Sequence, residues 1–285
     1  MFFLFLPKVT ATNPQTLTHA PSLTIFTINL NGLSNAMKCH SFHEHMKTLL
    51  LSAWLICETK STFALSIISL PDYEMFESPA IPLEHPSYYK WGLLLGIHKC
   101  FQAISVPLPP SLNAHVVAMD IIIPSTDNVG FQHCLFGIYA PWSYPLQDDP
   151  SLSPWVFWNE LQQICNNTHS SWSIIGKFNA VLLASESTSS CAFSSLASLA
   201  YSAFLRQTDA TDLWLHQANS TPAFYPTFIS KQSSATLDRA CISSSGIPEA
   251  ALSSPHLFIP YTDHHIICFT LLLLSPPHQV ALPLW

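Results

Sequence analysis

The sequence predicts a layered α/β sandwich. Many short apolar runs of strand length recur along the chain, each closed by a polar turn. A few stretches of helical spacing separate them. No G-x-G-x-x-G or P-loop is present, which sets the chain apart from a Rossmann sheet, and no internal repeat is visible.

Taken in order, residues 1–21 read as a loose leader with two prolines. "SLTIFTINLNGL" is a strand leaving into a polar turn at Asn29-Leu30-Asn31-Gly32. "SNAMKCHSFHEHMKTLLL" has helical spacing, with Met37, Phe42, Met46, Leu49 and Leu50 as an uneven apolar face and Ser34 or Asn35 as N-cap. "AWLICETK" is a second strand, ending at Glu58. "YYKWGLLLGIHK", "HVVAMDIIIP" and "HCLFGIYAPW" follow as strand-like runs. "SPWVFWNELQQICNN" is a helix opened by Ser153-Pro154, where a hydroxyl cap and a proline in the first turn suit a helix start. A strand at Trp172–Ile175 runs into Gly176-Lys177-Phe178-Asn179. A Ser/Ala-rich stretch leads to a helix ending near Arg206, and the remainder is short strands: "AFYPTFIS", "ATLDRACIS" and "HHIICFTLLLL".

A chain of 285 residues suits one large domain or two small ones, and 48% hydrophobic residues supply a sizeable core. Only 9% is charged, against about 25% in typical domains, and the net charge is −7. That balance offers no basic patch for non-specific nucleic-acid binding. Glycine is scarce at 7 and proline abundant at 23, so positive φ is costly to supply. The 8 cysteines form no C-x-x-C and read as free core thiols. Cys39, His40, His43 and His45 fit no standard zinc spacing and read as a solvated helix face. The apolar run of "MFFLFLPK" is short for a signal peptide, and "HIICFTLLLLS" is short for a membrane span. The expectation is an intracellular chain, nuclear or cytoplasmic, with no membrane association and no evident obligate protein partner.

Polar residues recur at the strand ends: Asn29, Asn31, Glu58, Tyr139, Asn179, Asp212, Asp238 and the pair Asp263-His264. A hard divalent cation takes oxygen ligands, which suits Glu58. A histidine beside carboxylates can be held in one tautomer. Asn and Tyr supply donors for phosphate oxygens. The set points to metal-assisted hydrolysis.

In this order the segments "TINLNGL", "CETK", "GIYAP", "GKFNA", "TDLW", "TLDRACIS" and "TDHH" resemble the endonuclease/exonuclease/phosphatase superfamily, most nearly the apurinic-type endonuclease domains of LINE-type retrotransposons. The resemblance runs from about Ser22 to Leu274, which bounds one domain at 22–275 with a tail at 276–285. It implies a DNase I-like, four-layered α/β sandwich of two packed mixed sheets flanked by helices. It implies Mg²⁺ (or Mn²⁺) held at Asn29 and Glu58, with DNA as the partner of an active enzyme. Tyr139 matches the phosphate-contacting tyrosine, and Asn179 the asparagine of G-D-x-N. Asp238 matches the aspartate that orients His264, Asp263 and His264 match the terminal pair, and Asp212 matches a polar position of less defined role.

Lys177 departs from this pattern. It stands where the family has the aspartate of G-D-x-N, turning a −1 group into +1 beside a site meant for +2. At 4 Å and an effective dielectric of 20, one unit-charge product is about 4 kcal/mol, so the reversal costs several kcal/mol toward a divalent ion. It also removes the group placed to accept the water's proton. The side chain is expected at a solvent-accessible mouth, carrying little packing. Trp91-Gly92 stands where the family often has Gly-Gly. The resemblance therefore implies a degenerate Mg²⁺-dependent phosphodiester hydrolase, a pseudoenzyme eroded from a mobile element. The alternatives are an inactive fragment or binding module, and a phosphatase of the same superfamily.

Overall fold

The computed structural model describes residues 22–49, 51–83, 88–123, 131–142, 153–189, 192, 194–218, 226–244, 250–253 and 262–272. The expected leader at 1–21 and tail at 276–285 lie outside them. Strands are numbered in chain order. One six-stranded sheet holds β1 (Ser22–Asn29), β2 (Ala53–Cys57), β3 (Tyr73–Ser78), β6 (Leu93–His98), β15 (Ala250–Ser253) and β16 (Ile267–Leu272), in the order β15-β16-β1-β2-β6-β3. The other holds β7 (Gln102–Ser105), β8 (Val116–Ile123), β9 (Phe131–Tyr139), β10 (Ser171–Lys177), β11 (Ala210–Asp212) and β14 (Asp238–Ser243), in the order β11-β14-β10-β9-β8-β7. Two small ribbons pair β4 (Ile81–Pro82) with β5 (Tyr89–Lys90) and β12 (Phe228–Ile229) with β13 (Ser234–Ala235). Both large sheets are mixed: β1 runs parallel to β2 and antiparallel to β16, while β10 runs parallel to β9 and antiparallel to β14.

The central strands are apolar on both faces because both faces are covered. Leu23, Ile25, Leu55 and Leu95 of the first sheet meet Met119, Leu135, Ile175 and Ala240 of the second in the inter-sheet core. On the outer side of the first sheet, Phe26, Ile28, Trp54 and Ile56 pack on Phe42 and Met46 of helix α1 (Ala36–Thr48). On the outer side of the second, Phe136 and Ile174 pack on Phe157 and Trp158 of α3 (Pro154–Asn167) and on Tyr201 and Phe204 of α4 (Leu196–Thr208). Two shorter helices, α2 (Ala64–Ile67) and α5 (Leu213–Ala218), complete the helical set among the described residues. The layers run helix, sheet, sheet, helix.

Helix starts follow the capping chemistry. Asn35 accepts hydrogen bonds from the Met37 and Lys38 amides, and Ser153 accepts one from Val156 with Pro154 in the first turn. The apolar face of α1 differs from its expectation. Met37 is 61% exposed, while Cys39, read as part of a solvated face, is buried against the sheet. The seven described cysteines are all free. No described helix is long and apolar enough to cross a membrane.

Period-two alternation then positions the site. Asn29 continues the inward face of Leu23 and Ile25 at the C-terminal end of β1. Lys177 continues the inward face of Ile175 at the end of β10, and β10 pairs as far as Lys177, opposite both Tyr139 and Asp238. Asn29, Tyr139, Lys177 and Asp238 therefore meet at one mouth between the sheets.

Candidate active site

The first-motif turn is locked from behind. Asn29 is fully buried; its carboxamide oxygen accepts from the Asn31 amide (2.8 Å), and its backbone carbonyl accepts from Thr262 Oγ1 (2.6 Å). The buried Lys38 ammonium donates to the carbonyls of Leu30, Asn31 and Gly32. The next loop is bound to this turn and to residues 91–92. Gly32 N donates to Glu58 O, Thr59 N to Gly92 O and Lys60 N to Trp91 O. Asn31, Glu58, Lys60, Trp91 and Asn179 all have φ between 49° and 64°. Such left-handed backbone costs on the order of 1–3 kcal/mol per non-glycine residue and survives where surrounding bonds over-determine it. In a chain poor in glycine, that strain is gathered around one mouth.

Two connected sets of side chains fill the mouth. In the first, Asn29 Nδ2 donates to Glu58 Oε2 at 2.9 Å and approaches His264 Nε2 at 3.4 Å. His264 Nδ1 lies 2.6 Å from Asp238 Oδ2, which fixes the tautomer: Nδ1 carries the proton and Nε2 presents its lone pair to the Asn29 amide. His264 and Asp238 are both buried. Trp214 Nε1 donates to the Asp238 carbonyl, and Thr227 Oγ1 accepts from its amide. Asp263 lies at the rim, with Oδ1 4.0 Å from His264 Nε2.

In the second set, Lys177 Nζ lies 3.6 Å from Glu58 Oε2 and 5.2 Å from the centre of the Tyr139 ring. Its side chain is only 12% exposed, so the expectation of a solvent-accessible lysine is corrected: inward alternation at the end of β10 buries it between the sheets. Lys60 Nζ bonds the other oxygen of the same carboxylate, Glu58 Oε1, at 3.2 Å, and donates to Asn31 Oδ1 at 2.6 Å. Asn179 Nδ2 donates to the Ala140 carbonyl at 2.7 Å, which turns its amide toward Tyr139.

The electrostatics follow from this packing. Burial raises the Glu58 pKa, but Lys177, the Asn29 amide and Lys60 outweigh burial and hold it below the usual glutamate value. Burial lowers the Lys177 pKa, but Tyr139, Glu58 and Asp238 outweigh it, and the ammonium sits above its ordinary value. Burial pushes the Tyr139 phenol up.

A divalent ion does not fit the residues present. Both Glu58 oxygens face ammonium groups, and no described cluster of three or more His, Cys, Asp or Glu is arranged to hold a metal. A +2 ion about 4 Å from each lysine would meet a repulsion of about 8 kcal/mol per lysine at an effective dielectric of 20.

Asp212 is corrected. Its register partner on β14 is Cys241, which faces the helices, so Asp212 lies on the outer face of the sheet, opposite Asp238. There it accepts from Tyr201 Oη (2.7 Å), Arg239 Nη1 (3.1 Å) and the Leu215 amide (3.0 Å). Sequence reasoning missed Arg239, which is fully buried, pairs with Glu186 and Asp212, and donates from Nε to the Ala180 carbonyl at 3.0 Å. It braces from behind the loop that carries Asn179. The available signal was an arginine inside an apolar strand, because a core-facing charge requires partners. Lys60 was missed for the opposite reason: in "ETK" it reads as one more solvated turn residue.

Two mixed sheets packed face to face between helices, with a polar mouth at their strand ends, make a DNase I-like fold. Among solved structures, the AP endonuclease LMAP from Leishmania major aligns with a TM-score of 0.69 at 14% identity, over 88% of this chain and 87% of that one. The endonuclease domain of TRAS1, a telomere-specific non-LTR retrotransposon, aligns at 0.61 and 13% identity, over 89% and 100%. The 3′ phosphatase NExo from Neisseria, bound to product DNA hairpin, aligns at 0.64 and 14% identity, over 87% and 98%. At these identities the likeness is one of fold. No family model and no curated protein matches the chain.

Proposed function

We propose that the cleft is a phosphoester-binding site of endonuclease type whose divalent-ion-dependent hydrolysis is suppressed, with DNA as its macromolecular partner. Lys177 at 3.6 Å from Glu58 Oε2 carries this reading. The resemblance places a carboxylate there to position or activate water. The lysine held there stays protonated, because the groups around it raise its pKa, and a protonated amine accepts no proton. The rest of the mouth suits phosphate. Tyr139 and Asn179 are donors beside a cation, and the His264–Asp238 pair presents an oriented imidazole.

Supercoiled-plasmid nicking tests the proposal, with wild type and Lys177→Asp each assayed in EDTA, Mg²⁺ and Mn²⁺. The expected result is no nicking by wild type and a metal-dependent gain in the variant. Wild-type nicking in Mg²⁺ as fast as that of Lys177→Asp would overturn it.

A further inference from the structure

Lys177 has a second neighbour besides Glu58. It lines a cavity of about 570 Å³, walled by the ends of β9 and β10, by Ser187, Ser189, Ala192 and Ser195, and by the β12–β13 ribbon. That volume lies within the range of small-molecule sites, about 300–1,000 Å³. Lys177 is the only charged residue among the described residues lining it, which do not include Glu58, Asp238 or Asp263. The ammonium thus both pairs with Glu58 and lines the open cavity.

The other described lining residues are uncharged and of two kinds. Around Lys177 stand Tyr139, whose phenol is kept protonated by burial, and Asn179, whose amide is oriented by the Ala140 carbonyl. A cation and two neutral donors make charge-assisted hydrogen bonds to a phosphate group. Farther along, Trp142 is 74% exposed and lines the cavity together with Phe228, Ser187, Ser233 and Gln232. An exposed indole face stacks on a planar ring, and hydroxyl and amide groups suit a sugar.

We propose that this cavity binds a nucleoside monophosphate, free or as the phosphorylated end of a strand, without a divalent cation: the phosphate on Lys177, Tyr139 and Asn179, and the base against Trp142. The proposal rests on the phosphoester-binding reading of the cleft and adds the ligand class and the independence from metal. Lys177 supplies the positive charge that the fold's resemblance assigns to an ion.

Isothermal titration calorimetry on the full chain in EDTA tests it, with a nucleoside monophosphate, the parent nucleoside, inorganic phosphate, and a single-stranded oligonucleotide with and without a 5′-phosphate as titrants. The monophosphate is expected to bind at least tenfold more tightly than the nucleoside or inorganic phosphate, and 5 mM Mg²⁺ is expected to change its Kd by less than twofold. Tighter binding of the 5′-phosphorylated strand than of its unphosphorylated form identifies the strand end as the source; binding of the free nucleotide alone identifies the small molecule. Lys177→Met is expected to weaken binding at least tenfold and Lys177→Arg less than threefold. Glu58→Gln/Lys177→Met removes both charges of the pair, so the loss is measurable even if Lys177→Met fails to fold. Trp142→Ala, at an exposed position, is expected to weaken binding several-fold. No binding of any phosphate titrant in EDTA, binding only with Mg²⁺, or unchanged affinity in Trp142→Ala would overturn the proposal. Plasmid nicking by wild type would overturn the suppressed-hydrolysis reading alone, whereas absent nicking with absent EDTA binding would overturn this inference alone.

Discussion

Lys177→Asp is expected to make the fold dependent on a metal that wild type ignores. The lost attraction, between charges 3.6 Å apart, is worth about 5 kcal/mol at an effective dielectric of 20. A carboxylate ending roughly 6 Å from Glu58 adds about 3 kcal/mol of repulsion on the same scale. Water entering the mouth and relief of the lysine's burial offset part of this. The net cost is expected to be about 2–4 kcal/mol, between the roughly 0–1 of an exposed pair and the roughly 3–5 of breaking a fully buried one. At about 2 °C per kcal/mol for a chain of this size, Tm should fall by roughly 4–8 °C in EDTA. Mg²⁺ at ten times its Kd should return about 1.4 kcal/mol to the variant and nothing to wild type. Thermal and urea unfolding of both proteins, with and without Mg²⁺, read these numbers directly. Equal Mg²⁺ stabilisation of wild type and variant would show that the ion reaches Glu58 despite the lysine. An unchanged Tm for the variant in EDTA would show that the Lys177–Glu58 pair carries no net stability.

Arg239→Met should cost about 3–5 kcal/mol in urea unfolding, because it strands the buried carboxylates of Asp212 and Glu186 without their cation. Gly176→Ala should cost about 3 kcal/mol or more, since φ is +130° and a Cβ there meets the Ile138 carbonyl oxygen; Gly32→Ala, with nothing nearer than 3.6 Å, should cost about 1 kcal/mol by the same measurement. The acid limb of stability should carry the Glu58 contribution. Its folded pKa lies below its unfolded value, so the contribution is full above about pH 4.3 and is lost as pH falls through the folded value; Glu58→Gln should flatten the urea midpoint between pH 3 and 5. The Lys177 contribution has the opposite sign. It is full below about pH 10.4, is lost as pH rises through the raised folded value, and should be absent from the alkaline limb of Lys177→Met.

The layered architecture was legible because the central strands carry their burial in their composition: "SLTIFTIN", "AWLIC" and "SWSIIG" are apolar on both faces. The peripheral strands were not. β3, β7 and β11 flank the sheets with mostly exposed or half-buried side chains, and the pairing that makes them strands comes from residues far away in sequence. The convergence of Asn29, Glu58, Tyr139, Asn179, Asp238 and His264 was readable from motif order, since each closes or follows a strand. The depth of Lys177 was not. The apolar run in the sequence ends at Ile175, and only the register with Tyr139 and Asp238 carries the strand two residues further, turning the lysine inward. The outward turn of Asp212 is not legible either, because a short edge strand gives no sequence clue to which face its carboxylate takes.

The strand order has a consequence for biogenesis. β1 is the first described strand, yet its antiparallel neighbour is β16, the last described one, in register from Ser22–Leu272 to Thr27–Ile267. Thr262 and His264 arrive on that same return. During synthesis, β1 therefore waits with an open edge and the apolar side chains of Leu23, Ile25, Phe26 and Ile28 until nearly the whole domain has been made. An unpaired apolar edge is a template for strands of other chains. A nonsense or frameshift change upstream of residue 262 would thus remove the imidazole and release an aggregation-prone chain at once, and the nascent protein's demand on chaperones should be set by β16 rather than by the cleft.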